Sequence, residues 1–433
     1  VDGDTEFLSS STGKVPPAVA LVAMLDRGMM RLSDPIEMYF PGFGSMKVMK
    51  KVVKDVVGTD IDEETGFTYA TLVADGKART VTSTADNSTY FVLTEDLDML
   101  DDGSAGTLGM AASNQIGLGT LVTSNGDWRS VVQDIGVTDG RISFTFPPAV
   151  ATSKLIPGLD FEANGYTHDA WMQEVVAAGL LSTQPRTDWE YDEGMVVVLA
   201  CMERAWLKHT GEAKRWYEII DELVFAPLKM THTAYKYDFA STNATMASFT
   251  GSAAAVMIDI ASKSSGKHDT ASINMMKWTP NDAAKLMYML ANQGIAKDGT
   301  RVLSKNAVKL MTASGYLAPD TKHSHATTTL DHHLIRAGPL DHEYLSHLQQ
   351  GLGGDFLVKS RDGRTSIYAA GTAPPEGWWA KGGAFGNSWW VNSEIGAYYI
   401  DMHKYGHVLG PGSSDVPYQY HRYSSTVFTG LLD

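Results

Sequence analysis

Apolar and polar positions change their spacing several times along the chain. Pro16 and Pro17 stand where an early helical turn tolerates them, residues 18–25 follow as an unbroken apolar stretch, and Gly28 supplies a stop. That pattern predicts a buried helix. Residues 31–43 read as a short helix-and-turn segment, and the Lys/Val/Met run at 45–58 reads as another helix. Between 59 and 150 the spacing becomes strand-like. Runs at 67–73, 80–84, 90–93 and 141–146, broken by Gly, Asp and Asn, predict a small β-rich insertion. Helical spacing returns at 169–181, 193–209 and 213–223. Thr279-Pro280-Asn281-Asp282 then opens a capped helix that runs to Gly294, and 306–314 is a shorter one. Beyond Gly351 strands dominate, at 356–360, 365–370, 389–392 and 397–401, and the tail at 424–432 reads as a closing helix. No internal repeat is evident.

Composition narrows the class. The chain has 433 residues, 43% hydrophobic and 20% charged, which suits two or three domains or one large domain with insertions. A formal charge of -15 disfavours nucleic acid and anionic membrane surfaces as partners. Twelve acidic and two basic residues fall between Asp55 and Asp102, so most of that excess is one local face on the insertion. Cys201 is alone, which excludes an intrachain disulfide and cysteine-based zinc or iron–sulfur sites. No apolar run reaches the roughly 18–20 residues of a membrane span, and the one around 195–200 fits a buried helix.

Two segments invite a metal. Residues 95–103 resemble a calcium loop, but Leu100 breaks the alternation of carboxylates, and a solvated loop is the preferred reading. His323, His325, His332, His333, His342 and His347 invite zinc, yet their spacing fits no strand or helix of fixed geometry. They read as a surface loop near an active-site mouth, and no metal or cofactor is assigned. The chain starts at Val1 without a signal-like segment. With sequons at Asn87 and Asn243, the expectation is a processed, secreted or organellar protein.

The candidate chemistry starts at Ser11-Thr12-Gly13-Lys14. Serine is a poor nucleophile until a base takes its proton, and a lysine three residues on shares its helical face about 5–6 Å away. A first-turn position also aims the positive helix end at a developing oxyanion. Ser264-Ser265-Gly266-Lys267 has the same spacing but lies in a Ser/Lys/Gly-rich loop, whereas Ser11 opens a buried-type helix. There is no Gly-x-Ser-x-Gly elbow, P-loop or Gly-x-Gly-x-x-Gly, which disfavours an α/β-hydrolase or a nucleotide-binding fold.

Several segments in order resemble the serine β-lactamase-like superfamily, most closely class C β-lactamases, D-Ala-D-Ala carboxypeptidases and family VIII-type esterases of the S12-like peptidase group. They are Asp4–Phe7, the Ser11–Lys14 tetrad, Leu32–Pro41, residues 185–191, Phe225–Met230 with Thr233, residues 279–304, and residues 379–386. The likeness covers about residues 4–44 and 155–400. It implies an α/β (α+β) fold: an antiparallel sheet flanked by helices, plus a helical region, here with a β-rich insertion. The implied division is 1–44 with 235–433 as core, 45–150 as acidic insertion, and 151–234 as the helical region.

By this resemblance Ser11 is the acylated nucleophile and Lys14 its base or proton relay. Tyr191 of Tyr191-Asp192-Glu193 stands for the second motif and passes a proton to the leaving group. Lys381 of Lys381-Gly382-Gly383-Ala384 stands for the third and supplies positive charge. The backbone N–H groups of Ser11 and Ala384 form the oxyanion hole. Glu193, Gly382, Gly383, Trp379 and Phe385 are the expected substrate contacts.

Two departures stand out. Gly382 lacks the hydroxyl that the family uses for a substrate carboxylate, and Glu193 replaces an asparagine with a negative charge. Both disfavour an anionic, amide-bearing substrate. Trp378, Trp379, Phe385, Trp389 and Trp390 suggest an apolar wall, although strand alternation must send some of them into the core.

The expected activity is therefore a serine hydrolase working on an ester or hydrophobic amide, a small-molecule or peptide-like acyl substrate. A catalytically weak scaffold or assembly protein, and a β-lactamase or D-Ala-D-Ala carboxypeptidase, remain the alternatives. Self-association is left open. Because Ser11 lies so early, the sheet strand expected before it is either on a separate N-terminal segment or replaced by another element.

Overall fold

The apolar stretch after Pro17 becomes the centre of the molecule. In a computed structural model the helix spans Val15–Asp26, and every residue from Val15 to Met24 is buried. A helix apolar on all sides must be covered on all sides. Pro16 and Pro17 lie in its first turn, where backbone N–H groups have no helical acceptor, and Gly28 leaves it at φ 68°. The structure describes residues 2–54, 56–82, 89–101, 103–118, 167–181, 183–187, 194–238, 269–271, 273, 276–312, 348–352, 355–358, 378–382 and 387–402.

The described strands form four sheets. Strand β1 (Phe7–Leu8) leads into the central helix. The strands β2 (Lys47–Lys54), β3 (Ala78–Thr82), β4 (Thr89–Asp96) and β5 (Leu180–Leu181) form a sheet in the order β3-β4-β2-β5, with β5 parallel to β2 and the other pairs antiparallel. A short ladder joins β6 (Lys236–Asp238) to β7 (Asp269–Ala271), and β8 (Lys277–Trp278) pairs antiparallel with β1. The strands β9 (Leu348–Gln350), β10 (Asp355–Val358), β11 (Trp379–Gly382), β12 (Ser388–Asn392) and β13 (Ala397–Asp401) make an antiparallel meander. Helix Pro280–Ala291 covers β12 and β13, and helix Lys305–Thr312 packs on the central helix. On another side helix Gly194–Thr210 contacts the central helix and also packs against His168–Ala178 and Leu108–Ala112.

Two local expectations are corrected. Residues 45–58 contain strand β2 rather than a helix. Lys47-Val48-Met49 and Lys51-Val52-Val53 pair along β4, and β-branched valines fit a pleated surface better than a helix. Conversely, residues 67–73 are not a strand. Thr68 accepts a bond from Thr71 N and caps helix Tyr69–Ala74, which buries Tyr69 and Leu72 against Phe91. Ala105, Leu108, Ala111, Ile116 and Leu118 pack into the main core. Among the described residues, Tyr69, Leu72, Ala78, Phe91 and Leu93 form a separate small core. The runs at 141–146, 365–370 and 424–432 lie outside the described residues.

The acidic face is partly neutralised from within its own sheet. On β2, Lys47 pairs with Asp96, Lys50 with Glu64 at 2.6 Å, and Lys51 with Asp62 at 2.7 Å. The Asp62 side chain is fully inaccessible and also accepts from Thr65 N at 3.0 Å. The Lys51 ammonium, then Thr65 N–H, hold its carboxyl down to about 2 from the ordinary 3.8. A depressed folded value stabilises the sheet above the unfolded value, and that stabilisation is lost as pH falls toward 2. Asp62→Asn is therefore expected to weaken this sheet by about 1–2 kcal/mol at pH 7, since Lys51 is partly solvent-screened. Hydrogen exchange of the β2 and β4 amides reads the loss, which should vanish near pH 2. A deficit of equal size at both pH values would contradict the assignment.

Candidate active site

The pairing of β1 with β8 fixes where the chain enters the central helix. Ser9 N donates to Met276 O at 2.9 Å, and the chain then winds into a tight 3-10 turn, Ser10–Lys14. Thr12 Oγ1 donates to Ser9 O at 2.6 Å, and Val15 N–H closes on Thr12 O. Ser11 is the second residue of this turn and Lys14 is its last. Gly13 is required by packing: a Cβ there would lie 2.3 Å from Ile273 O and 2.6 Å from Ser9 Oγ. From below, the Tyr235 hydroxyl donates to Gly13 O.

Strand β11 packs against the same turn. Across β11 and β12, Trp379 faces Val391 and Lys381 faces Trp389, so Trp379, Lys381, Trp389 and Val391 share one face of the sheet. The rings of Trp379 and Trp389 meet tilted, 4.7 Å between centroids, within the main core, 1% and 0% exposed. Lys381 leaves that apolar face only 3% exposed, and Lys14 is 5% exposed. The two buried lysines thus sit on two elements in contact. Asn387, just before β12, donates through Nδ2 to Leu8 O, which ties the meander to the strand before the turn.

Tyr235 is itself held by a frame of backbone and carboxylate bonds. Ala234 exchanges two hydrogen bonds with Lys277, at 3.1 and 3.0 Å, and so extends the β1–β8 ladder. Buried Asp282 accepts from His232 N at 2.8 Å and Thr233 Oγ1 at 2.9 Å, while Thr279 caps its helix. An aromatic column stands beside the phenol: His168 stacks on Trp216, Trp216 meets Tyr235 edge-on at 4.8 Å, and Phe225 stacks on Tyr235. Burial and the Arg215 charge push the His168 imidazole down to about 3, so it stays neutral near pH 7. Burial pushes the Tyr235 phenol well up, which keeps it a donor.

No protein-family model and no curated protein matches the chain by sequence. Solved structures do match by fold. Simvastatin Synthase (LovD) from Aspergillus terreus superposes with a TM-score of 0.60 at 15% identity, over 99% of this chain and 85% of that one. EstCE1, a hydrolase with promiscuous acyltransferase activity, gives 0.55 at 14% identity, over 98% and 86%. A family VIII carboxylesterase gives 0.51 at 14%, over 98% and 84%. The chain has the β-lactamase/transpeptidase-like fold.

Within this β-lactamase-like fold the first and third motifs expected from the sequence come together: the Ser11–Lys14 turn lies against the strand of Lys381 and Gly382. Tyr191, Glu193, Gly383, Ala384 and Phe385 lie outside the described residues, as do the six clustered histidines. Trp379 is buried, its ring beside that of Trp389. Trp378 and Trp390 are buried as well, at 2% and 7% exposure, because this β-lactamase-like sheet has covered faces on both sides. Among the described residues no group of His, Cys, Asp and Glu is arranged to hold a metal ion, and no helix is long and apolar enough to cross a membrane. Sequence reasoning missed Tyr235 and Asn387. Tyr235 stands two residues beyond Thr233 of a segment carrying the resemblance, but nothing local marks its long-range bond to Gly13.

Proposed function

We propose that the protein is a serine hydrolase that acts through an acyl-enzyme on Ser11. The observation that carries this reading is the pair of buried lysines, Lys14 at the end of the Ser11 turn and Lys381 on the strand packed against it. Buried lysines beside a candidate nucleophile are the kind of group that can activate a serine, one of them as a neutral amine that takes its proton. In the reaction, Ser11 Oγ attacks the acyl carbonyl and its proton passes to Lys14. The oxyanion is held by the N–H groups of Ser11 and Ala384, the carbon–oxygen bond of the ester breaks, and Tyr191 returns a proton to the departing alcohol. Water then attacks the acyl-enzyme, releasing the acid and restoring the Ser11 hydroxyl.

The substrate is an ester or hydrophobic amide rather than a β-lactam, because Gly382 offers no hydroxyl to a substrate carboxylate and Glu193 adds a negative charge. The names of two fold neighbours, Simvastatin Synthase and a hydrolase with promiscuous acyltransferase activity, support testing an alcohol in place of water as the acyl acceptor. Short-chain p-nitrophenyl esters and a chromogenic cephalosporin, assayed in parallel, test the preference. Ester turnover exceeding cephalosporin turnover by at least roughly a hundredfold in kcat/KM is the expected result. Efficient cephalosporin hydrolysis with no ester cleavage would support the β-lactamase alternative. Turnover of neither, with no acylation at Ser11, would support the scaffold alternative.

A further inference from the structure

Two prolines create a problem that a distant tyrosine solves. A carbonyl at position i in a helical turn accepts from N–H at i+3 or i+4. For Gly13 those positions are Pro16 and Pro17, and neither has an N–H to give. The preceding carbonyl, Thr12 O, escapes the problem because Val15 N–H reaches it. Gly13 O lies in a buried environment, where an unmet carbonyl is costly, and its acceptor site is filled by the hydroxyl of Tyr235, 222 positions away in the chain. The direction of the Gly13 carbonyl fixes the peptide plane between Gly13 and Lys14, and with it the start of the Lys14 side chain relative to Ser11.

Given the Ser11 reading above, on which this rests, we infer that Tyr235 is a positioning residue for the nucleophile turn. It substitutes for the two helical N–H groups that Pro16 and Pro17 remove. The frame around it suits that task. The Ala234–Lys277 pairing fixes its backbone, Asp282 holds the two residues before Ala234, and the flanking rings of Trp216 and Phe225 restrict where the phenol can point. Gly13 has no slack to compensate, since Ile273 O and Ser9 Oγ close on its other side. The proton stays on the phenol throughout; no bond to substrate is made or broken by Tyr235.

The test uses Tyr235→Phe, Pro17→Ala and the double variant, each read in two ways: steady-state ester hydrolysis, and the rate of Ser11 phosphonylation by a fluorophosphonate followed by peptide mapping. Tyr235→Phe keeps the ring in its aromatic stack and removes only the hydroxyl. Its kcat and its Ser11 labelling rate are expected to fall together on the order of tenfold to a hundredfold, with KM within about twofold of wild type. Pro17→Ala alone stays near wild type. Combined with Tyr235→Phe it restores an N–H at i+4 of Gly13, and both rates should recover to within roughly threefold of wild type. A purely structural loss would lower stability without this rescue. Wild-type labelling of Ser11 with an unchanged rate in Tyr235→Phe, or a loss that Pro17→Ala does not repair, overturns the inference alone. No Ser11 adduct in the wild type overturns it together with the reading it rests on.

Discussion

Ser11→Ala is expected to lower ester hydrolysis by roughly 10³-fold or more while leaving the protein folded. The turn that carries residue 11 is held by bonds of its neighbours: Ser9 N to Met276 O, Thr12 Oγ1 to Ser9 O, and Tyr235 to Gly13 O. Loss of the Ser11 hydroxyl removes none of these. Lys14→Ala should cost a comparable factor, and the double variant should cost little more than either single one, because nucleophile and base act as one unit. Lys14→Arg separates the roles of charge and base. A guanidinium keeps the positive charge but does not release its proton in the working pH range, so rescue by arginine is not expected. Retention of activity in Ser11→Ala, or its restoration in Lys14→Arg, would contradict the assigned roles. Steady-state kinetics on a short-chain ester, with thermal unfolding as the folding control, provides the comparison.

The second large effect is on stability and activity together. Gly13→Ala adds a methyl whose ideal position is 2.3 Å from Ile273 O and 2.6 Å from Ser9 Oγ. The serine can rotate away, but the carbonyl is backbone, so either the turn or the Ile273 segment must move. Overpacking at a rigid contact of this kind costs about 3 kcal/mol. Any shift of the turn also displaces Ser11 and Lys14 from Lys381 on β11, so kcat should fall by on the order of a hundredfold in whatever protein remains folded. A denaturant titration measures the first loss and active-site-normalised kinetics the second. A Gly13→Ala protein with wild-type midpoint and wild-type turnover would mean that the turn is looser than its packing indicates.

How much of this was legible beforehand depended on whether the signal was local. The central helix was, because Pro16, Pro17, the apolar run and Gly28 are adjacent in sequence. So was Ala397–Asp401, where strand-type residues follow the Gly396 turn. The strand β2 was misread because its four lysines lend it a helical composition, and the carboxylate partners of Lys47, Lys50 and Lys51 lie 11 to 49 residues away. The Ser11–Lys14 spacing was visible, but its duplicate at Ser264–Lys267 shows that spacing alone is weak. What gives the first copy its setting is long-range: β8 beneath it, β11 against it, and Tyr235 under Gly13. The tryptophans near Lys381 carried an ambiguity that alternation could not resolve. Register places Trp379 and Trp389 on one face, and Trp378 and Trp390 are buried as well.

The central claim is that one serine is acylated, and peptide mapping after treatment with a fluorophosphonate probe tests it most directly. A single stoichiometric adduct is expected on the peptide containing Ser11, absent in Ser11→Ala and slowed in Lys14→Ala. An adduct on Ser264 or any other serine, or none on the folded wild-type protein, would contradict it.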